Sequence, residues 1–484
     1  MVGRANIGLI GLAVMGQNLV LNMVDHGFKV AVFNRTTSKV DQFLQENSEK
    51  RDRLIGAYCL EEFVSLLSHP RKIIIMICAG DAVDQTINTL LPFLERGDII
   101  IDGGNSYYLD SERRCKFLEG SDTLFLGMGV SGGEEGARHG PSIMPGGDRR
   151  AWPVIKPILQ AICAKSKEGD LCCDWVGEGG AGHYVKMIHN GIEYVDMQII
   201  CEAYQLLNSR LKLSKEKIAQ IFEEWNRGEL GGYLVEITGH ILRYKESGEA
   251  PLVESILDVA QQKGTGKWAG INALELNVPA TLIGEAVFAR YLSAHKTQRR
   301  AMSKCFAGRE SLFQGNAEEL IRDTHQALYA SKIINYTQGF MLMQATAKKM
   351  GWELDYSAIA LMWRGGCIIR SHLLKEIKRA FDKNHTLENL LFDPFFKEEI
   401  VKSEGGWRRV VSHVVTSGIP APCFCAALSF FDGYRSEKLP MNLIQAQRDL
   451  FGAHTYERTD QPRGKYFHTN WGYSDSGENS SPCN

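Results

Sequence analysis

The sequence lacks the marks of membrane, secreted and nucleic-acid-binding proteins. No apolar run is long enough to span a membrane, and no N-terminal segment joins positive charge to an apolar stretch. Neither sign of charge is in excess, because 55 basic residues stand against 57 acidic ones. No strongly basic surface for nucleic acid is therefore expected. We expect a cytoplasmic protein with no membrane partner and no nucleic-acid partner.

Cysteine pairs at metal-site spacing are missing as well. The twelve cysteines are spread over 484 residues. Neither Cys172-Cys173 nor Cys423-Phe424-Cys425 has a second pair at zinc-site spacing. We expect reduced, mostly buried thiols and no metal site. A chain of this length should form two or three domains.

The N-terminal residues follow the strand, glycine turn and helix pattern of dinucleotide-binding domains. An apolar strand at Ile7–Ile10 runs into the turn, and a helical pattern follows from Gln17. Backbone amides at the start of such a helix can face a pyrophosphate. The middle glycine of the fingerprint is replaced by alanine, and a tight turn without ligand is the alternative. The cofactor-binding residues predicted in this turn are Gly11, Leu12, Ala13, Val14, Met15 and Gly16.

The end of the second predicted strand, residues 29–33, indicates which dinucleotide binds. NAD-preferring domains carry an acidic residue there, which holds the ribose 2′-hydroxyl. This chain has Asn34, Arg35 and Thr36 instead. A guanidinium can hold a 2′-phosphate through two parallel hydrogen bonds. We therefore predict NADP as the cofactor.

Further strand patterns predict a doubly wound, Rossmann-like α/β domain. Continuous β-branched runs at residues 73–77, 99–102 and 124–126 fit a parallel sheet covered on both faces. Ligands bind beyond the carboxyl ends of such strands. Irregular loop geometry is the alternative for the two glycine-rich segments that follow there. We favour ligand binding by both, with Asn105 in the first and Ser131, Gly132 and Gly133 in the second.

A polar stripe lies on the helix that is predicted to begin near Gly182. Lys186, His189, Asn190 and Glu193 stand at positions i, i+3, i+4 and i+7, which share one helix face. A solvated face is the alternative, but the other sides of this helix are apolar, so the stripe should be buried. Burial lowers the pKa of a lysine and raises that of a glutamate, which makes Lys186 and Glu193 a plausible base and acid.

The remainder of the chain is predicted to be helical. Long amphipathic patterns, such as residues 317–350 and 356–381, favour a large all-α domain after the sheet. We predict a cofactor domain at 1–180, an all-helical domain at 181–439 and an extended C-terminal tail at 440–484.

Cations within the helical part favour a phosphate site. Lys263 and Thr265 lie in a glycine-rich segment whose backbone can approach an anion closely. Arg290 stands in an otherwise apolar helix and could complete that site, although a lone arginine usually extends to solvent. Arg448 and His454 lie near the C-terminus, on a segment that is either a surface helix or a contact with a neighbouring subunit.

These motifs, taken in order, resemble the 6-phosphogluconate dehydrogenase family, whose members are NADP-linked and decarboxylating. The resemblance covers nearly the whole chain. It rests on residues 11–16, 34–36, 102–106, 130–138, 182–194, 262–268, 362–370 and 445–455. It implies a phosphorylated sugar acid as substrate and a homodimer.

The resemblance also implies roles for individual residues. Lys186 would be the general base and Glu193 the acid. The cofactor site would include Ile77, Cys78, Ala79 and Asn105. The substrate would be held by Asn105, Ser131, Gly132, Gly133, His189, Asn190, Tyr194, Lys263, Thr265 and Arg290, with Arg448 and His454 supplied by the partner subunit.

Three positions depart from the family pattern. Cys78 stands where lysine is common, Tyr107 where an acidic residue is common, and Val195 where glycine is usual. Two alternatives stay open. One is a related β-hydroxyacid dehydrogenase with a smaller substrate, and the other is a catalytically silent NADP-binding paralogue.

Overall fold

An eight-stranded sheet is built from the N-terminal part of the chain. The computed structural model describes residues 4–246, 248, 250–306 and 313–472. Neighbouring strands in the order β3-β2-β1-β4-β5-β6-β7-β8 are parallel, except that β6 and β7 are antiparallel. The strands are β1 Ile7–Ile10, β2 Val30–Phe33, β3 Leu54–Ala57, β4 Lys72–Ile75, β5 Ile99–Asp102, β6 Leu124–Ser131, β7 Ser142–Gly147 and β8 Gly177–Glu178.

Helices cover both faces of this sheet. They are α1 Val14–Asp25, α2 Ser38–Glu46, α3 Leu60–Ser65, α4 Asp81–Leu90, α5 Tyr108–Glu119, α6 Gly133–His139 and α7 Trp152–Ile162. Side chains alternate across a strand, so Ile99 and Ile101 enter one core while Ile100 enters the other. Both faces are buried, which explains the continuous β-branched runs and confirms the predicted doubly wound, Rossmann-like fold.

Strand β7 was not predicted, because its composition is unusual for a strand. It contains Pro145, Gly146 and Gly147. A Cβ atom added at Gly146 would overlap the backbone of Gly182 at the start of the next helix. The glycine therefore lets that helix pack directly on the sheet.

A large helical region follows the sheet, as predicted. Its helices are α8 Ala181–Ser209, α9 Lys215–Arg227, α10 Tyr233–Arg243, α11 Thr265–Glu275, α12 Thr281–Ala294, α13 Lys296–Cys305, α14 Ala317–Met350, α15 Tyr356–Met362, α16 Leu373–Lys383, α17 Pro394–Ser417 and α18 Pro422–Tyr434. Helix α14 has the predicted bounds. No helix in the described ranges is long and apolar enough to cross a bilayer.

The predicted helical pattern at residues 356–381 is wrong over its middle. Helix α15 ends at Met362, and α16 begins at Leu373. Gly366 between them has φ +61°, a left-handed conformation that glycine adopts without steric cost. The chain leaves the helix here and packs against the sheet, because Ser142 N donates to Gly366 O over 2.8 Å.

Two compact units are formed, one reaching Leu428 and one starting at Ser429. The second contains α19, Met441–Gly452, and an antiparallel pair of short strands, β9 Tyr456–Glu457 and β10 Tyr466–Phe467. Its buried Asp449 accepts hydrogen bonds from Thr455 N, Thr469 N and Trp471 Nε1 over 2.9 to 3.1 Å. The domain bounds at 1–180, 181–439 and 440–484 stay a prediction.

Candidate functional site

The turn between β1 and α1 brings backbone close to backbone. Gly11 has φ +107°, and a Cβ atom there would overlap Met76 O. A Cβ atom at Gly16 would overlap Gly11 O. Ala13 is exposed, and it caps α1 without a side-chain hydrogen bond. The first amides of α1 are thus not occupied by a capping side chain, and they sit in a positive partial charge that suits a phosphate.

Within this turn the side chains point in different directions. Leu12 is buried, Met15 packs against the core of the sheet domain, and Val14 is exposed. Leu12 therefore has only backbone atoms left for contact with a ligand, whereas the Met15 side chain is partly exposed.

A cleft of about 590 Å³ opens beside this turn, at the carboxyl ends of β1, β2 and β4. Asn34 Oδ1 accepts from Leu12 N over 3.0 Å, and Asn34 Nδ2 donates to Thr36 O over 3.0 Å. Asn34 therefore fastens the end of β2 to the glycine turn. Arg35 and Lys39 both line the cleft and give it positive charge. Lys39 was missed by the sequence reasoning, because it lies in the first turn of α2 and not at the strand end.

The opposite wall of the cleft follows β4. Ile77 and the exposed Cys78 line it, together with Gln85 and Thr86 of α4. Ala79 comes next in the chain and is partly exposed. The structure thus brings the predicted residues after β1, β2 and β4 around one cleft.

A buried arginine on α5 holds the loop after β5 through hydrogen bonds. Arg114 on α5 is about 1% exposed and donates to Asp102 Oδ2, Asp84 Oδ1 and Gly80 O over 2.8 to 3.0 Å. It thereby ties the loop after β4 to the loop after β5. Asn105, at the tip of the second loop, is exposed. The sequence reasoning missed Arg114, since its partners are distant in sequence.

The polar stripe of α8 is only partly buried as predicted, because Asn190 and Glu193 are half-buried. Lys186 is 7% exposed and His189 is fully buried. Lys186 Nζ donates to Asn190 Oδ1 over 2.8 Å and lies 3.4 Å from His189 Nδ1. Asn190 Nδ2 in turn donates to Thr265 Oγ1 over 3.0 Å. Lys186, His189 and Asn190 therefore form a connected hydrogen-bond network with Thr265.

The electrostatics of the stripe favour an uncharged amine. Desolvation by burial lowers the pKa of Lys186, and the charge of Glu193 only partly opposes this. Among the described residues, no carboxylate oxygen lies within ion-pair distance of its Nζ. Desolvation raises the pKa of Glu193, against the opposing charges of Lys186 and Arg290. Both shifts move toward neutrality and in the directions expected from the sequence.

His189 connects the stripe to the end of β6. Its Nε2 lies 3.1 Å from Ser131 Oγ, and its Nδ1 lies 3.7 Å from Glu193 Oε2. Desolvation lowers the pKa of His189 well below its usual value, so the ring is neutral. Ser131 is followed by Gly132 and Gly133, whose φ angles are +110° and +62°.

The residues predicted to bind phosphate gather at the far end of the stripe. The Arg290 guanidinium lies 3.6 Å from the centre of the Tyr194 ring and donates to Gln261 O over 3.0 Å. Thr265 is the first residue of α11, behind Gly264 with φ +101°. Lys263 is exposed just before it. A helix N-terminus, an arginine and a lysine thus lie along one edge of the site.

Arg448 and His454 belong to the second compact unit. Arg448 lies on α19 and donates to Gln445 Oε1 over 2.9 Å. His454 follows that helix, and both side chains are exposed.

The segment between α15 and α16 supports the stripe from behind. The Trp363 ring packs edge-on against His189, with centroids 5.8 Å apart. Cys367 is fully buried, and its Sγ lies 3.0 Å from Trp363 O. A Cβ atom at Gly132 would lie 2.5 Å from Gly366 O. Neither Trp363 nor Cys367 was predicted as part of the site, although both lie in a motif of the resemblance.

Comparison with known proteins agrees with this geometry. Residues 6–177 match the family model described as the NAD binding domain of 6-phosphogluconate dehydrogenase, and residues 182–471 match that of its C-terminal domain. The chain belongs to the 6-phosphogluconate dehydrogenase family. The decarboxylating 6-phosphogluconate dehydrogenase of Homo sapiens is 57% identical over 471 residues, which are 97% of each chain. That of Haemophilus influenzae is 57% identical over 468 residues, covering 97% of this chain and 96% of its own.

A solved structure of the family has the same fold. Plasmodium falciparum 6-phosphogluconate dehydrogenase superposes with a TM-score of 0.93 at 43% identity, covering 96% of this chain and all of its own. That protein has been described in its apo form, with its cofactor NADP⁺ and with its substrate 6-phosphogluconate.

The three departures from the family pattern leave the stripe intact. Val195 is fully buried on α8. The Tyr107 ring packs 5.1 Å from that of Trp268. Cys78 presents its thiol to the cofactor cleft, so of the three it alone bears on cofactor contact.

Proposed function

We propose that this chain catalyses the oxidative decarboxylation of 6-phospho-D-gluconate to D-ribulose 5-phosphate and carbon dioxide, with reduction of NADP to NADPH. The observation that carries the proposal is the buried Lys186 amine, which is bonded to Asn190 and shares a helix face with Glu193. Membership of the 6-phosphogluconate dehydrogenase family supplies the substrate class.

NADP fits the cleft at the carboxyl ends of β1, β2 and β4. The uncapped start of α1 offers amides to a pyrophosphate, and Arg35, Thr36 and Lys39 offer donors to a 2′-phosphate. The cofactor residues we propose are those of the glycine turn, Asn34 to Thr36, Ile77 to Ala79, and Asn105. When bound, NADP supplies the hydride acceptor.

Lys186 is the general base of the oxidation step. Its neutral amine accepts the proton of the substrate 3-hydroxyl while a hydride leaves C3. The product of this step is a 3-keto acid with an ammonium beside the new ketone oxygen. Asn190 holds the amine through Oδ1, which fixes its direction in both charge states.

The ammonium of Lys186 then promotes loss of carbon dioxide. As the bond between C1 and C2 breaks, its electrons move toward the C3 oxygen. Lys186 donates its proton to that oxygen, which stabilises the developing charge. The product is an enediol and the amine is neutral again.

Glu193 is the acid of the last step. Burial raises the pKa of its carboxyl group, which favours the protonated form that this step needs. It donates this proton to the carbon that lost carbon dioxide, while Lys186 accepts the remaining hydroxyl proton. The product is ribulose 5-phosphate.

Polar groups around the stripe hold the sugar acid. Ser131, Gly132, Gly133, Asn105, His189 and Asn190 bind the carboxylate and hydroxyl end. Tyr194, Lys263, Thr265 and Arg290 bind the phosphate end, where the Tyr194 ring supports the Arg290 guanidinium.

We further propose a cytoplasmic homodimer that works in the pentose phosphate pathway. Arg448 and His454 would complete the phosphate site of the partner subunit. Exposed apolar side chains support an association surface, among them Leu274 on α11 and Phe288 and Leu292 on α12. The domains we propose are the cofactor domain, 1–180, the helical domain, 181–439, and the tail, 440–484.

The deciding experiment is an assay of NADPH formation with purified protein. We expect turnover with 6-phosphogluconate and far lower kcat/KM with gluconate, because the cations at Lys263 and Arg290 would then have no phosphate to bind. Equal kcat/KM for the two acids would instead favour a dehydrogenase for smaller substrates. No turnover of either would favour a silent NADP-binding protein.

A further inference from the structure

A second large cleft lies where a loop of the sheet domain, between α7 and β8, meets the helical region. It has a volume of about 640 Å³, which is within the range of sites for small molecules. Its walls are the loop before Asp170, the turn between α9 and α10, and the segment that enters α16. We call it the rear cleft and define it by Lys167, Arg227, Tyr233, Arg364, Arg370 and Lys375.

Positive charge dominates the rear cleft. Five lysine and arginine side chains line it against two carboxylates, Glu168 and Glu236. Glu168 is already paired with Arg364, and it lies 3.5 Å from Lys375 Nζ. Lys167, Arg227 and Arg370 form no ion pair with any carboxylate in the described ranges. The cleft therefore carries more cations than carboxylates, and among its described residues Glu236 is the carboxylate outside these ion pairs.

Two of the arginines are held in place. Arg370 lies 3.7 Å from the centre of the Tyr233 ring and donates to Cys367 O over 2.8 Å. Arg364 has only 11% of its side chain exposed and pairs with Glu168. A guanidinium fixed in this way loses little freedom when it binds a phosphate. This arrangement differs from that of solvated surface lysines.

The rear cleft lies on the back of the segment that supports the stripe. Arg364 follows Trp363, which packs on His189. Arg370 donates to the carbonyl oxygen of Cys367, whose Sγ lies 3.0 Å from Trp363 O. The cleft and the catalytic groups therefore share one short stretch of chain.

We propose that the rear cleft is a binding site for a small anion with two or more phosphate groups. Planar guanidinium groups bind phosphate oxygens in pairs, and the cations without an ion pair, Lys167, Arg227 and Arg370, exceed the charge of one phosphate group. Such a ligand would occupy the open side of Arg227, Arg370 and Lys167, while Glu168 continues to neutralise Arg364.

Calorimetric titration of the full-length protein with inorganic pyrophosphate tests this site. The titration is done with 6-phosphogluconate and NADPH at saturation, so that both phosphate sites of the proposed function are filled. Only this choice of blocking ligands rests on the proposed function. The double variant Lys167→Ala/Arg227→Ala removes two exposed cations of the cleft, and Arg322→Ala on α14 is the matched control.

We expect wild type and Arg322→Ala to bind one pyrophosphate per chain, and the double variant to bind it at least about tenfold more weakly. Inorganic phosphate should bind more weakly than pyrophosphate. No saturable heat with wild type, or equal affinity in the double variant, would overturn the site. Equal affinities for the two anions would overturn the ligand class.

The turnover of the double variant without pyrophosphate separates this proposal from the proposed function. We expect it to equal that of wild type, because neither residue lies in the catalytic stripe. A large loss of turnover would contradict a separate site. If wild type itself were inactive, the affinity difference between the variants would still decide whether the rear cleft binds pyrophosphate.

Discussion

Lys186 and Lys332 are both buried, but their electrostatic surroundings differ. Lys332 forms an ion pair with Asp196, which also accepts from Asn335 Nδ2 over 2.9 Å. Both members of this ion pair are buried, and losing either would be strongly destabilising. Lys186 has an amide oxygen as its hydrogen-bond acceptor instead. One lysine is therefore structural, whereas the other is free to change its charge.

Replacing Lys186 by methionine should abolish the base function without disturbing the fold. The two side chains have similar length and methionine tolerates burial. We expect kcat to fall by about 10³-fold while the affinity for NADPH, measured by fluorescence, is unchanged. Lys348→Met, an exposed lysine on α14, is the control. Activity near that of wild type would contradict the role of Lys186.

The pH dependence of kcat/KM should have two limbs. Activity falls on the acidic side as Lys186 is protonated, and its lowered pKa moves that limb down toward neutrality. Activity falls on the basic side as Glu193 ionises, and its raised pKa moves that limb up toward neutrality. Glu193→Gln should lower kcat by about 10²-fold and remove the basic limb. A variant that kept this limb would exclude Glu193 as its origin.

Arg35 should decide the choice between the two dinucleotides. Its guanidinium lines the cofactor cleft beside Thr36 and Lys39. Arg35→Ala should raise the KM for NADP about tenfold and leave the KM for NAD nearly unchanged, because NAD has no 2′-phosphate. The exposed Arg51→Ala is the matched control. A parallel rise in both KM values would argue against recognition of the phosphate.

The candidate site was predictable where its signal is local. The stripe on α8 repeats with the helical period, so Lys186, His189, Asn190 and Glu193 could be assigned to one face from the sequence alone. Trp363 and Arg114 could not be placed in this way. Each acts through contacts with residues that are distant in sequence, and no periodic pattern encodes such contacts.

At the scale of elements, α8 also caps another helix. Glu202, two turns before its end, accepts from the backbone amides of Cys423 and Phe424 at the start of α18, each over 2.9 Å. Desolvation raises the pKa of this carboxyl group to about 7, although these hydrogen bonds oppose the shift.

Glu202 should make stability depend on pH. In the unfolded chain its proton is released near 4.5, and in the folded chain near 7. The folded state therefore holds the proton more tightly, so its stabilising contribution is complete below pH 4.5 and is lost as the pH rises to about 7. As the pH rises from 4.5 to about 7, the free energy of unfolding should decrease less for Glu202→Gln than for wild type. We expect this difference to reach about 3 kcal/mol.

Denaturant unfolding at several pH values measures this difference. Glu398→Gln, an exposed carboxyl group on α17, is the control and should follow wild type. Parallel pH profiles for wild type and Glu202→Gln would show that Glu202 does not titrate in this interval.

Helices and strands were predictable where a single residue pattern extends over their whole length. The bounds of α14 were predicted correctly, because its amphipathic pattern is unbroken from Ala317 to Met350. The break between α15 and α16 was missed, because the apolar residues around Gly365 and Gly366 continue the helical period. They are buried for a different reason, namely their packing against the sheet.

At the scale of the whole molecule, the residues proposed for the active site are divided between the two compact units. Arg448 and His454 lie in the second unit, and the base and acid lie in the first. Exposed apolar residues are present in both, such as Phe288 in the first and Phe451 in the second. Surfaces of this kind commonly mark subunit contacts.

Mixing two inactive variants tests whether subunits share a site. In a mixed dimer of Lys186→Met and Arg448→Ala chains, one site carries both defects and the other carries none. Co-expression at equal amounts should restore about one quarter of wild-type activity, because half of the dimers are mixed and each has one intact site. Each variant alone should be nearly inactive. No recovery in the mixed preparation would contradict a shared site.

Helix α8 runs without a break from its contact with the sheet to the polar stripe. Gly182 packs directly on Gly127 and Gly146 of the sheet, and Lys186 follows one turn later. Each residue of a helix advances the azimuth by about 100°. A single inserted or deleted residue between Gly182 and Glu193 would therefore rotate the Glu193 carboxyl group to another side of the helix. The number of residues in this stretch therefore fixes the direction of Glu193, about the helix axis, relative to the contact of Gly182 with the sheet. Insertions and deletions are tolerable only outside it.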